Sequence, residues 1–529
     1  MKEIDLVSLG TLSLSTIALL RKDKNLTDLI GSSHPYLDLE KAIAGKTEFA
    51  ANKRRDLVNV LEENYSRLGL NKHPLINSNI TALLDQNTYT VTTGQQLHLF
   101  LGPAFMVYKL LSTIKAAEYY QHLHPDKKFI PIFWLASEDH DFEEIKDTPL
   151  FGQNYTWITE QKGACGRYHL KDIQTVFEPL KAKLSHDVKG LELLNSLELI
   201  YTTSETLSDA TVRLTHQLFA DYGLLCLDAD NALLKTHFKS IVKAELLDHK
   251  SEISFNHFSQ KMTDSSLSLQ LKSRPINLFY LKNGLRARIE QNDEDYIVVD
   301  SSIQFTKEGI LAEIESHPEN FSPNAVLRPI YQECILPNIA YVGGNAEINY
   351  WLQLKEIFEL YQTNAPLLVL RQSVWIIRNK QVEWLEANKI SIEQLFAIKT
   401  EKDKLDVFKS EDESDELSIL MQHFIDLKNK ILQYADGGKL PNIKGLIDSG
   451  KNYEKSLKEL TKAELSLRIE KNDKKIKKLE QIQNEGFSAN NIQERTNYAL
   501  SFWIKDYNYL NNCFSNIQYK PGYGFFLNI

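Results

Sequence analysis

The chain has 529 residues, is 43% hydrophobic and 25% charged, and carries a formal net charge of −9. That length accommodates three or four domains of about 150 residues and a large core. The acidic balance excludes a global basic field that would recruit nucleic acid or an anionic membrane.

Glu3 and Asp5 stand where a secretion signal wants positive charge, and Ser13, Ser15 and Thr16 interrupt the apolar run at 12–20. No run reaches the roughly 20 apolar residues of a membrane span, so neither a signal nor a span is expected. Cys165, Cys226, Cys334 and Cys513 form no CxxC pair. They fit reduced thiols in the cytoplasm and offer no zinc motif, and no metal site is read.

Residues 1–85 read as a helical packing segment. Leu57, Leu61, Tyr65 and Leu68 recur at helical spacing, with Arg54, Arg55, Glu62 and Glu63 on the other face. A β-prone run at 88–92 leads into Thr93-Gly94-Gln95-Gln96, then Gly102-Pro103, then an apolar-periodic helix over 104–120. Glycine lets the backbone approach a ligand, and a helix N-terminus offers N–H groups to an anion. Gln95 and Gln96 add neutral donors and acceptors. The pattern is neither GxGxxG nor a Walker A loop, and an ordinary βα turn is the commoner reading.

The stretch at 129–145, FIPIFWLASEDHDFEEI, begins as a fully apolar run and ends in Glu138, Asp139, His140 and Asp141. It predicts a central parallel strand whose carboxyl end, where open α/β sheets bind ligands, carries three acids and an imidazole. A solvated helix start is the plain alternative. The spacing from Gly94 fits one βα unit plus the next strand, so both loops open at one sheet edge.

From 151 to 316 the texture changes. Residues 170–250 look mainly helical, while 267–305 alternate around the turn at Asn283-Gly284, which reads as an inserted domain. Lys261-Met262-Thr263-Asp264-Ser265 superficially resembles the lysine loop of class I tRNA synthetases, but it lacks the second lysine and is assigned to chance. At 322 the chain returns to the sheet. Arg328-Pro329 precedes a strand at 339–342, then Gly343-Gly344-Asn345-Ala346-Glu347 and a helix over 348–361. This is a second glycine turn feeding a helix, with Glu347 and Tyr350 on one face. A strand at 366–370 ends in Arg371, Gln372 and Ser373, and Arg371 suits a two-pronged grip on carboxylate or phosphate, with a surface ion pair as its alternative.

Residues 399–416 read as a charged linker. Leu417, Leu420, Phe424, Leu427, Ile431 and Tyr434 form a heptad seam ending at Asp436-Gly437-Gly438 and Pro441. A second long helix is predicted over 443–485, ended by Gly486, and a third over 488–514, giving an antiparallel helical hairpin with a returning segment. Lys474, Lys475, Lys477 and Lys478 are interleaved with acids and read as a solvated face.

Three blocks together resemble one family: TGQQLHLFLGPAFMVYK at 93–109, PIFWLASEDHDFEEI at 131–145, and NAVLRPIYQECILPNIAYVGGNAEINYW at 324–351. They are similar to the bacillithiol biosynthesis cysteine-adding enzymes, also called the cysteine ligases of that pathway, over nearly the whole chain. His98 and Leu101 depart from a pattern that often carries Gly or Asn, and Thr, at those places. The resemblance implies an α/β fold with a Rossmann-like core, related to nucleotidylyl transferases and class I synthetases, with connecting-peptide insertions and a C-terminal helical coiled coil that dimerises. The expected division is a helical segment at 1–85, core halves at 86–150 and 321–398, an insertion at 151–320, and a coiled-coil domain at 399–529.

The implied reaction joins cysteine to the amine of glucosaminyl malate. Amide formation needs an activated carboxyl, so ATP is the expected co-substrate, with Mg2+ left open. The attacking amine must be neutral, which makes His140, Asp139 and Asp141 the candidate bases, with Glu138 holding the amino group of cysteine. Gly94, Gln95, Gln96, Gly102, Lys109, Arg328, Gly344, Asn345, Glu347, Tyr350, Arg371 and Ser373 are the candidate binding residues. Two other readings stay open: a nucleotidyltransferase acting on another small acid, and a coiled-coil scaffold with an inert core.

Overall fold

The computed structural model describes residues 2–282, 284–408, 416–436, 444–488 and 491–528. The chain divides into two compact units, residues 1–376 with 493–529, and residues 377–492.

The first unit is built on five strands: β1 (Thr88–Gln95), β2 (Lys128–Leu135), β3 (Leu225–Asp228), β4 (Asn338–Gly343) and β5 (Leu367–Leu370). They lie in the order β5-β4-β1-β2-β3, and every neighbouring pair is parallel. β2 carries Ile130, Ile132 and Phe133 fully buried. Burial of a side chain of that size contributes about 1.5–3 kcal/mol, which is why so unbroken an apolar run occupies an interior position. The chain lays β2 and β3 on one side of β1, then crosses back to lay β4 and β5 on the other. A crevice therefore opens between the carboxyl ends of β1 and β4, the place where doubly wound sheets hold ligands. Helix α1 (Ala104–Leu123) packs on β1 and β2 and is apolar on most of its surface.

The 151–320 region is not wholly outside this sheet. β3, a four-residue LCLD strand, pairs Ile132 with Leu225 and Leu135 with Asp228. A segment that short carries no periodicity by which to separate it from its helical surroundings. Gln153–Thr156 pairs antiparallel with Asp147–Leu150, and the other four strands of the region, with Phe321–Pro323, form a separate five-stranded antiparallel sheet. In it Leu278–Lys282 pairs with Leu285–Asn292 around the expected hairpin; Asn283 of that turn lies outside the described residues. The 261–265 stretch closes the helix Lys250–Asp264, with Lys261 3.0 Å from Glu356 on the surface.

The N-terminal segment is mainly helical, and Leu57, Leu61, Tyr65 and Leu68 are all buried. Arg54 does not lie on a solvated face. It is buried and donates to the carbonyls of Leu83, Gln86 and Thr88, which caps the approach to β1. Lys2–Asp5 forms a strand paired antiparallel with Tyr523–Asn528, which also neighbours Ser373–Ile377. Residues 488–514 are not one helix. A short hairpin is followed by helices at Gln493–Thr496, Ala499–Lys505 and Tyr509–Asn516. Asp506 Oδ1 accepts from the Asn508 N–H at 2.9 Å, a local turn that competes with helix continuation.

The second unit contains two long helices, Glu416–Asp436 and Lys444–Asn484. Phe424 stacks on Tyr453, with ring centres 5.9 Å apart, and Lys428 lies 2.7 Å from Glu454. Part of the expected linker at 409–415, and Gly437, Gly438 and Pro441, lie outside the described residues. No described helix is long and apolar enough to cross a membrane.

Candidate active site

A cavity of about 570 Å³ occupies the crevice between β1 and β4. Of the predicted site residues, Gly94, Gln95 and Gln96 at the end of β1, Glu138, Asp139 and His140 after β2, and Arg328, Glu347 and Tyr350 on the far side line it. Register explains the first two, because Gly94 sits beside Trp134 and Gln95 beside Leu135, so both strands release their loops at one level.

Lys109, on the second turn of α1, ties the two sides together. Its Nζ donates to the Gly94 carbonyl at 2.5 Å and to Gln95 Oε1 at 3.1 Å, and lies 2.6 Å from Glu347 Oε2. Glu347 belongs to helix α2 (Asn345–Gln353), which follows β4. It also accepts from the Tyr341 hydroxyl at 2.6 Å and the Gly344 N–H at 2.9 Å. Burial works against the Glu347 charge, but Lys109 and these donors outweigh it and hold the carboxyl below its ordinary value. Burial lowers the Lys109 ammonium, and Glu347 opposes that shift.

Arg328 sits among Trp134, Tyr341 and Trp351, its guanidinium carbon 5.5–5.8 Å from each ring centre. Nη1 donates to Gln332 Oε1 at 3.0 Å, whereas Nη2 is buried without a hydrogen-bond acceptor. Among the described residues no carboxylate pairs with Arg328, nor with Lys272 and Arg274 at the cavity's edge. The cavity thus holds cationic groups that an anionic ligand can satisfy.

The β2 end is charge-balanced from outside. Glu138 Oε1 pairs with Lys235, which is buried and also donates to the Phe321 carbonyl at 2.6 Å. Burial raises the Glu138 carboxyl above its ordinary value, against the pull of Lys235. Asp139 accepts from Gln96 Nε2 at 2.8 Å and from the His140 N–H at 2.8 Å. His140 Nδ1 lies 2.7 Å from Arg286 Nη1. Burial, then Arg286, lowers the imidazole below its ordinary value, while Asp139 and Asp141 pull the other way.

Other predicted residues lie elsewhere. Asp141 is exposed and borders a neighbouring cavity of about 590 Å³. Gly102 closes a buried turn over His98, and the following helix end is closed off, because the Ala104 N–H bonds the Asn497 carbonyl at 2.8 Å. None of residues 97–104 lines the cavity, so the anion groups expected there are not presented to it. Asn345 Oδ1 accepts from the Ser13 N–H at 2.9 Å, and Gly344 acts through Glu347. Arg371 is committed: its two Nη atoms bond Glu494 at 2.9 and 2.7 Å, and Ser373 Oγ bonds the same carboxylate at 3.1 Å. This is a buried ion pair, not a grip on a ligand.

Lys235 and Arg286 were not found from sequence. Lys235 follows the short β3 that periodicity missed. Arg286 lies in the hairpin strand Leu285–Asn292, where alternation groups it with Arg288 but says nothing of what its face meets.

The family model described as "Bacillithiol biosynthesis BshC, N-terminal Rossmann-like domain" matches residues 7–372. A protein named "Putative cysteine ligase BshC" from Christiangramia forsetii is 36% identical over 464 residues, covering 85% of this chain and 84% of its own. Namesakes from Cytophaga hutchinsonii and Flavobacterium johnsoniae are 36% and 33% identical, covering 91% and 88% of this chain and the same shares of their own.

Proposed function

The chain belongs to the BshC family of bacillithiol biosynthesis, and from that premise we propose that it is a carbon–nitrogen ligase joining the carboxyl of cysteine to the amine of glucosaminyl malate. The observation that carries the reading is the convergence of the polar ends of β1 and β2 with Arg328, Glu347 and Tyr350 on one cavity at the sheet's switch point.

The chemistry needs an anion grip, a place for an ammonium, and a means of activating a carboxyl. Arg328, with its unpartnered Nη2, takes a carboxylate or phosphate oxygen. Lys272 and Arg274 extend that preference to a ligand with more than one negative group. Glu138 Oε2 makes no hydrogen bond among the described residues and can receive the cysteine ammonium, with Lys235 holding the carboxylate in place. ATP is the proposed activating co-substrate, and its phosphates fit the same cationic cavity. An Mg2+ ion would accompany the nucleotide's phosphates. The sugar amine must lose its proton before or during attack, and Asp139 is the carboxylate within the cavity placed to take it.

We also propose that the long C-terminal helices pair two copies of the chain as a coiled coil. Ile419, Leu420, Leu427, Leu460 and Leu467 are each more than half exposed on them, an apolar load that an isolated helix pair leaves in water.

Reconstitution tests the reaction. Purified protein with glucosaminyl malate, cysteine and ATP is expected to form the cysteinyl product, followed by mass, with ATP converted stoichiometrically to AMP or ADP. Absence of product, with ATP untouched, would overturn the assignment.

A further inference from the structure

We propose that Arg286 holds His140 in the tautomer protonated at Nε2, so that His140 serves the reaction as a hydrogen-bond donor and not as its base. The tautomer rests on geometry alone; the role rests on the ligase reading.

Arg286 Nη1 and His140 Nδ1 are 2.7 Å apart. A guanidinium has only donors and does not lose its proton in a protein, so Nδ1 must accept through its lone pair. A neutral imidazole with its lone pair at Nδ1 carries its hydrogen on Nε2. The arrangement is the reverse of a carboxylate–histidine dyad, in which the carboxylate accepts from Nδ1–H and leaves Nε2 free to take a proton. Asp139, the carboxylate that could build such a dyad, lies 3.8 Å from Nδ1, beyond hydrogen-bond distance.

Arg286 is not free to turn away. Its Nε donates to Ser322 Oγ at 3.1 Å, its Nη2 to the Pro323 carbonyl at 3.3 Å, and its guanidinium lies 4.1 Å from the Phe279 ring centre. The charged groups around the imidazole are Asp139, Asp141 and Arg286; burial, then Arg286, lowers its pKa below the ordinary value, while the two carboxylates pull the other way. Nε2, on the far edge of the ring, has no partner among the described residues, and the ring borders both cavities. From there N–H can donate to the oxygen that gains negative charge when the amine adds to the activated carboxyl. The proton stays on His140 throughout, and no bond to the ring forms or breaks.

The first test is independent of turnover. Protein labelled with 15N-histidine is examined by long-range 1H–15N correlation, with H140Q identifying the resonance. The expected pattern is a protonated Nε2 and a bare Nδ1 for His140; a protonated Nδ1 overturns the proposal. R286M should raise the titration midpoint of the ring, and R286K should restore it. The second test reads the role. Glutamine supplies an N–H near the position of Nε2 and an oxygen for Arg286, so H140Q should keep kcat within about tenfold, while H140A loses about 10²–10³. An H140Q as inactive as H140A, with the acid limb of the kcat/KM profile gone, would show a base instead. If wild-type protein makes no product, the ligase reading fails, and the spectra still decide the Arg286–His140 pairing.

Discussion

Lys109 has every N–H of its ammonium in use inside a nearly closed pocket. Deleting one partner of such a pair strands the other charge, which costs about 3–5 kcal/mol, whereas replacing both with apolar groups is often close to neutral. K109M is therefore expected to lower the urea midpoint more than the double change K109M/E347L, and both should lose activity because the Gly94 and Gly344 turns lose their common brace. His98 shows a different residue-scale effect. It is buried, Nδ1 has no partner, and burial pushes its pKa down to about 4 from the ordinary 6.5. Below pH 6.5 the unfolded chain takes up a proton that the folded chain refuses. The stability present above 6.5 is thus lost as pH falls toward 4, by up to about 1.4 kcal/mol per pH unit. H98Q should flatten that part of a Tm-against-pH curve. Lys109 was reachable from sequence only because it closes a block shared with a known family. Arg286 was not, since its partner His140 is 146 positions away and no periodicity links them.

At the scale of elements, β2 and β4 were legible because each is an unbroken buried run ended by polar or glycine residues. β3 was not, because four residues at a sheet edge look like their helical flanks. The turn after β1 was legible as a glycine turn but not in its surroundings. Gly102 has φ +61°, and a Cβ there would lie 2.6 Å from His98 Cβ, so the turn needs glycine for its own packing and does not line the cavity. The same limit applied to Arg371. A strand-end arginine reads alike whether it meets a ligand or a protein carboxylate, and its partner Glu494 lies in a stretch whose pattern predicts one long helix where the structure has three short ones. Glu494 fastens the short helix Gln493–Thr496 to the edge after β5. E494A should cost about 3–5 kcal/mol in denaturant unfolding by leaving Arg371 buried and unpaired. Below its lowered midpoint it should keep nucleotide binding, because neither residue borders the cavity.

For the whole molecule, the exposed leucines of the C-terminal helices give the proposed dimer a direct check. L427D/L467D should shift the mass found by light scattering from two chains to one, and a wild-type protein that already runs as one chain would remove the proposal. Charges on so exposed a stripe leave the fold of the first unit intact.

The strand at Lys2–Asp5 has a consequence in time. Its partner, Tyr523–Asn528, is some 500 residues away along the chain. At about 5–20 residues per second of synthesis, the first strand waits roughly half a minute to two minutes before its mate exists. Through that interval an apolar Ile4 and a row of open backbone groups travel with the nascent chain, exposed to any edge they meet. The sheet in which these two strands meet therefore forms only after every strand of the sheet from β1 to β5 has been made. Ribosome-bound chains stopped short of residue 523 should be cleaved by protease near residue 5 at a stage when the sheet from β1 to β5 already resists it.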